Sequence, residues 1–106
     1  MVDEKTIQQV VERVVVAARP SRIILFGSYG RGDAKKGSDL DLMVVLPTVT
    51  DRYGEMIRLH KAVGNVGVGV DLLVYSDAEF ERRSRVPGTV LHSARKEGQQ
   101  LYAAAH

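Results

Sequence analysis

Three short apolar runs limit what this chain can fold into: RIILF (Arg22 to Phe26), LDLMVVL (Leu40 to Leu46) and VGVDLLVY (Val68 to Tyr75). Each is compact and rich in branched side chains, and Gly27 and Pro47 stop the first two, so all three read as buried strands. Between them the hydrophobic period changes. Ile7, Val10, Val11, Val14, Val15 and Ala18 recur at helical spacing, with Glu4, Lys5, Gln8, Gln9, Glu12 and Arg13 on the opposite side. Asp3 is placed to cap that helix and Pro20 to stop it. Thr50 or Asp51 can cap another, whose Tyr53, Met56, Ile57, Leu59 and Val63 predict a helix up to the glycines at 64 and 67. From Ser76 or Asp77 onward, two helical pieces are expected, divided by Pro87-Gly88. The order predicts a small α/β or α+β domain, residues 1–106, in which helices flank a three-stranded sheet. A sheet so small leans on its helices, so Tyr53 and Tyr75 are expected to pack in the core.

The bulk numbers agree with one modest core: 106 residues, 44% hydrophobic and 26% charged, ordinary for a globular chain and unlike a disordered one. The longest apolar stretches, VVVAA and LMVVL, are too short to cross a bilayer, so no membrane association is expected. No basic-then-apolar leader opens the chain, and there is no cysteine, which suits a reducing cytoplasm. A net charge of +2 does not demand nucleic acid as a partner.

The acidic residues are more specific. Side chains alternate along a strand, so Asp39 and Asp41 share one face while Leu40, Leu42, Val44 and Leu46 take the other. Taken alone, an Asp-x-Asp pair is as easily a solvated strand end. Asp71 alters that reading: it stands between Val70 and Leu72 in a run with no other charge. Burying such a group unpaired costs on the order of several kcal/mol, so a compensating charge is expected. If the third strand lies beside the second, the three carboxylates converge. No histidine or cysteine cluster accompanies them: His60 is expected as a core-edge residue on or beside the apolar face of its helix, and His92 and His106 have no spacing partner. An all-oxygen set suits a hard cation such as Mg2+, and two such ions can activate an attacking oxygen and stabilise a leaving pyrophosphate.

Ahead of the aspartates, Gly27-Ser28 follows a strand directly and precedes a segment able to open a helix. A helix N-terminus offers free N–H groups to phosphate, glycine lets the backbone approach, and the Ser28 hydroxyl can donate. Arg31, Lys35 and Lys36 add positive charge nearby. Neither G-x-x-x-x-G-K-[ST] nor G-x-G-x-x-G is present, so this is no P-loop or dinucleotide fingerprint. Without the aspartates, the turn reads as an ordinary strand-to-helix connection. The run Arg82-Arg83-Ser84-Arg85 reads as a solvated helix end.

Gly27-Ser28, ten residues, then Asp39-x-Asp41 resembles the G-S-x10-D-x-D signature of the DNA polymerase β-like nucleotidyltransferase superfamily. Ser38 before the first aspartate and Arg31-Gly32 in the loop also match its usual form. The likeness extends over nearly the whole chain, from the leading helix to a closing helix with Arg95 to Gly98, and is similar to the minimal nucleotidyltransferases (MNT). It implies a small mixed β-sheet flanked by α-helices and a two-metal transfer of NMP from NTP. By that resemblance Asp39, Asp41 and Asp71 bind two Mg2+ ions, and Asp71 also helps deprotonate the acceptor. Gly27, Ser28 and Arg31 hold the triphosphate, with Ser38 beside them. Many relatives read G-S-R-A-R-G where this chain has Tyr29 and Gly30, so one arginine is lost and Arg31 stays in register.

Many MNT proteins pair with a HEPN-domain toxin, as antitoxins that transfer AMP from ATP onto it, often to a tyrosine. The resemblance therefore implies a protein adenylyltransferase with a HEPN partner. Two other readings stay open: an antitoxin that neutralises its partner by occlusion without catalysis, and nucleotidyl transfer to a small molecule or nucleic-acid end. The short chain, with no second domain to hold such an acceptor, weighs against the last. No base-specific motif chooses among ATP, GTP, CTP and UTP.

Overall fold

The computed structural model describes residues 2–105, so His106 lies outside the described residues. The Asp3 carboxylate accepts from the Thr6 N–H at 2.9 Å and starts α1, Glu4–Ala18. Arg19, left-handed at φ 47, ends it just before Pro20. Then come β1 (Arg22–Phe26), a five-residue helix α2 (Gly27–Arg31), β2 (Leu40–Leu46), α3 (Arg52–Val63) and β3 (Val70–Ser76). Asp51, one of the two expected caps, receives the Gly54 N–H at 3.0 Å. Ser76 and Glu79 form a reciprocal capping box at the start of α4, Asp77–Arg83, and Thr89 caps α5, Val90–Glu97.

The sheet is mixed, as expected, but it has a fourth strand. The segment after α5, expected to close the chain as helix, forms β4, Gln99–Ala103, and the strand order is β3-β2-β1-β4. QQLYA carries none of the continuous apolar signal of the other strands because it is an edge strand without a fully buried residue. It pairs antiparallel with β1, β1 pairs antiparallel with β2, and β2 runs parallel to β3.

The two faces of the sheet are covered unequally. Leu40, Leu42, Val44 and Leu46 point as expected to one face, where Val10 and Val14 of α1 and Leu59 and Val63 of α3 complete the larger core. Ile24, Met43 and Val45 point to the other face, against Phe80 of α4 and Leu91 and Ala94 of α5. Those two helices are short. They cover the Met43–Val45 end of that face and leave half-exposed Phe26 and Leu73 at the other. Tyr75 packs as expected, with the Arg52 and Arg83 guanidinium groups over its ring. His92 is structural: its Nδ1 meets the Ser84 carbonyl at 3.0 Å, and Arg95 donates to the buried Ser84 Oγ at 3.1 Å. In the Arg82–Arg85 run, Arg85 pairs with Glu81 on the surface.

Two arginines lock α1 to α3. Arg13 of α1 donates to the Val63 carbonyl at the last residue of α3, at 2.5 Å. Arg58 of α3 returns the contact to the Ala17 carbonyl near the end of α1, at 2.6 Å. Each supplies a donor and a positive charge where a helix leaves carbonyls unpaired.

Gly30 fixes how α2 sits on the sheet. A Cβ there would lie 2.5 Å from the Leu25 carbonyl oxygen and 3.0 Å from its carbon. Replacing a helical glycine by alanine favours the helix by about 1 kcal/mol, whereas forcing atoms into packed backbone costs about 1–3 kcal/mol. The clash wins, so Gly30→Ala is expected to lower the urea midpoint with an unchanged m-value.

Candidate active site

Three strand ends meet at one point. In the β2–β3 ladder Asp41 stands directly opposite Asp71, and in the β1–β2 ladder it stands opposite Phe26, the last residue of β1. Because directly opposed residues share a face, both carboxylates leave the sheet on the same side, the one that α4 and α5 leave open at this end. Asp39 lies two residues upstream, where the Leu40 N–H donates to the Gly69 carbonyl at 2.9 Å and holds the two strands together. Convergence of the acidic residues, conditional in the sequence on strand neighbours, is thus set by register. The reason offered for it needs correction: Asp71 is exposed, not buried, because β3 is an edge strand and its end of this face is uncovered.

Two glycines make room for the carboxylates. Gly27 has φ 65, and any Cβ there would collide with the Asp41 carboxylate. Gly69 stands in the same relation to Asp39. The first glycine was singled out in the sequence as a phosphate turn. The second was missed, although a glycine two residues before an isolated strand aspartate was its signal.

The predicted phosphate residues divide. Gly27 and Ser28 form the first turn of α2, whose N-terminus receives no side-chain cap and so keeps free N–H donors. Arg31, in the last turn, pairs with Asp33 at 3.2 Å, and its charge is also felt by Asp41. Ser38 sits elsewhere in the loop: its Oγ receives the Lys35 N–H at 3.0 Å, and it borders a separate hollow with Asp3, Tyr29 and Val66.

Beside the carboxylates runs a groove of about 520 Å³ between α3 and β3, with Asp41 and Asp71 in its wall. Tyr53, Met56, Ile57 and His60 of α3 form its other side. Tyr53, expected in the core, is 76% exposed, and Ile57 is 50% exposed. Only Leu59 and Val63 of this helix are buried, where its inner face packs with α1 and β3 in the larger core.

A model of the nucleotidyltransferase domain family matches residues 4–105. The chain belongs to that family. A candidate protein adenylyltransferase of Methanocaldococcus jannaschii is 30% identical over 104 residues, covering 96% of this chain and all of the relative. Among solved structures, a candidate nucleotidyltransferase of Sulfolobus solfataricus superposes with a TM-score of 0.65 at 20% identity, over 93% of this chain and 78% of its own. A toxin–antitoxin structure with AMP-PNP superposes with a TM-score of 0.60 at 25% identity, over 97% and 75%. The expected fold and enzyme class are therefore established: this is a nucleotidyltransferase with a four-stranded mixed sheet.

The site of this nucleotidyltransferase is electrostatically strained. Partial burial raises the Asp41 carboxyl above the ordinary carboxylate range, the shared contact and negative charge of Asp71 raise it further, Asp39 adds to this, and Arg31 opposes it. Among the described residues, no three His, Cys, Asp or Glu side chains already form a closed metal cage. What stands ready is the Asp41–Asp71 pair, with Asp39 near enough for its charge to reach. Oxygen donors that repel one another and lack a basic partner fit a hard dication, which removes the repulsion.

A carboxyl whose folded pKa is raised loses stability for the fold as pH climbs from its unfolded value through its folded one. Asp41→Asn is accordingly expected to be more resistant to urea than the parent at neutral pH without divalent ions. The difference should shrink below about pH 4, where both forms are uncharged at this position. Adding Mg2+ should raise the melting temperature of the parent and not of the variant, as read by differential scanning fluorimetry.

Proposed function

We propose that this chain is a Mg2+-dependent protein adenylyltransferase, the antitoxin of a pair, that transfers AMP from ATP to a hydroxyl of a HEPN-domain toxin. The observation that carries this reading is the Asp41–Asp71 register across parallel strands, directly beneath the Gly27-Ser28 turn. The M. jannaschii relative supports protein as acceptor, and the AMP-PNP complex supports an adenine nucleotide and a toxin partner.

In this reading the free N–H groups at the start of α2 and the Ser28 hydroxyl hold the β- and γ-phosphates. Gly27 brings the backbone close, and Arg31 exchanges Asp33 for phosphate oxygens. Asp39 and Asp41 hold the ions that arrive with the nucleotide, and Asp71 shares the one nearer the acceptor. When bound, these ions supply charge for the α-phosphate and the leaving pyrophosphate. Asp71, outermost on the edge strand, takes the proton from the acceptor hydroxyl at its carboxylate oxygen. The acceptor oxygen bonds to the α-phosphorus, the α–β bridge bond breaks, and pyrophosphate leaves with the bond electrons.

Asp39→Ala and Asp41→Ala are each expected to reduce AMP incorporation into the HEPN-domain partner on the order of 10³-fold, about 4 kcal/mol of barrier. Intact-mass measurement with ATP and Mg2+ reads this as loss of the added AMP. Undiminished transfer by the double variant refutes the assigned chemistry. Variants that transfer nothing yet still bind the toxin and protect cells support neutralisation by occlusion instead.

A further inference from the structure

The outer side of α3 is unexplained by the fold. Tyr53 and Ile57 lie one helical turn apart, 76% and 50% exposed, with half-buried Met56 between them. Exposed aromatic and branched side chains at i, i+4 spacing add nothing to the core, and such patches mark docking surfaces. The groove below them continues without interruption to Asp71.

The charge of the site also divides across the sheet. Arg31, Lys35 and Lys36 are carried by α2 and the loop after it, and α2 packs on β1 and β2. The groove runs along the outer strand β3 and reaches Asp41 and Phe26 at its inner end. Its lining among the described residues includes two carboxylates and an imidazole but neither lysine nor arginine. Phosphates are held by cationic side chains and free N–H groups, which the α2 side supplies and the groove wall does not. An apolar surface that offers a neutral hydroxyl fits both the lining and the carboxylate at its end.

Resting on the adenylyltransferase reading above, we propose that Tyr53 and Ile57 are the acceptor-docking residues. The α3–β3 groove receives an apolar polypeptide surface of the protein substrate and leads its hydroxyl to Asp71, while the nucleotide enters from the α2 side. Neither residue touches the reacting atoms, so they set which protein is modified and not how.

The test uses the Tyr53→Ala, Ile57→Ala double variant with ATP, Mg2+ and the HEPN-domain protein at varied concentration. Two exposed anchors of this kind together give about a 10- to 100-fold rise in KM for the protein. The expected result includes an unchanged kcat, an unchanged ATP affinity by calorimetry and an unchanged melting temperature. An unchanged KM overturns the proposal, and so does a weaker ATP affinity with the KM intact, which assigns the groove to the nucleotide. If the parent chain modifies no protein, the adenylyltransferase reading fails, and a second measurement still decides docking. Tyr53→p-benzoylphenylalanine is expected to photocrosslink the HEPN-domain protein without ATP, whereas Val86→p-benzoylphenylalanine, on the exposed α4–α5 connection, is not. Equal crosslinking at both positions, or none at 53, overturns the proposal.

Discussion

Everything at this site depends on two like charges that the backbone refuses to separate. The parallel ladder of β2 and β3 places Asp41 and Asp71 opposite one another, and strands in a ladder stand about 4.8 Å apart whatever their side chains prefer. Neither residue can retreat without breaking the register that also seats Leu42 beside Leu72 and Val44 beside Val74 in the main core. The apolar face therefore holds the acidic one in place. Core packing is what offsets the repulsion.

The same sheet gives the acidic pair two distinct flanks. Its antiparallel half, β1 with β2, ends at Phe26 and delivers the α2 turn to one flank of Asp41. Its parallel half presents Asp71 at the open edge. Short α4 and α5 complete the arrangement by what they leave uncovered, since longer helices on that face would close over the carboxylates. In the proposed reaction, nucleotide and acceptor approach the same acidic pair from different flanks.

Much of this was legible in the residues. RIILF and LDLMVVL mark β1 and β2 to the residue because fully buried strands must be continuously apolar, and Asp3 caps α1 as its position predicts. The signature glycine, serine and aspartates lie together because local turn chemistry and strand alternation fix them. What escaped the sequence was decided by tertiary neighbours. QQLYA is a strand only because β1 offers it an edge. Asp71 is tolerated through exposure at an edge, which no local pattern records. Tyr53 and Ile57 fit a core helix equally well, and only the tertiary contacts that bury Leu59 and Val63 instead decide that they face outward. Ser38 follows the signature in sequence, while in the fold its hydroxyl is used to close the loop on Lys35.

The reciprocal arginine clasp between α1 and α3 has an evolutionary side. Arg13 and Arg58 tie the helix ends to each other, and the helix's buried residues are Leu59 and Val63. Tyr53 and Ile57, on the outward side of α3, are thereby left without a duty to the scaffold. Mutation can rewrite that surface without loosening the strands beneath, so the outer side of α3 is free to diverge while the sheet that carries the aspartates is held constant.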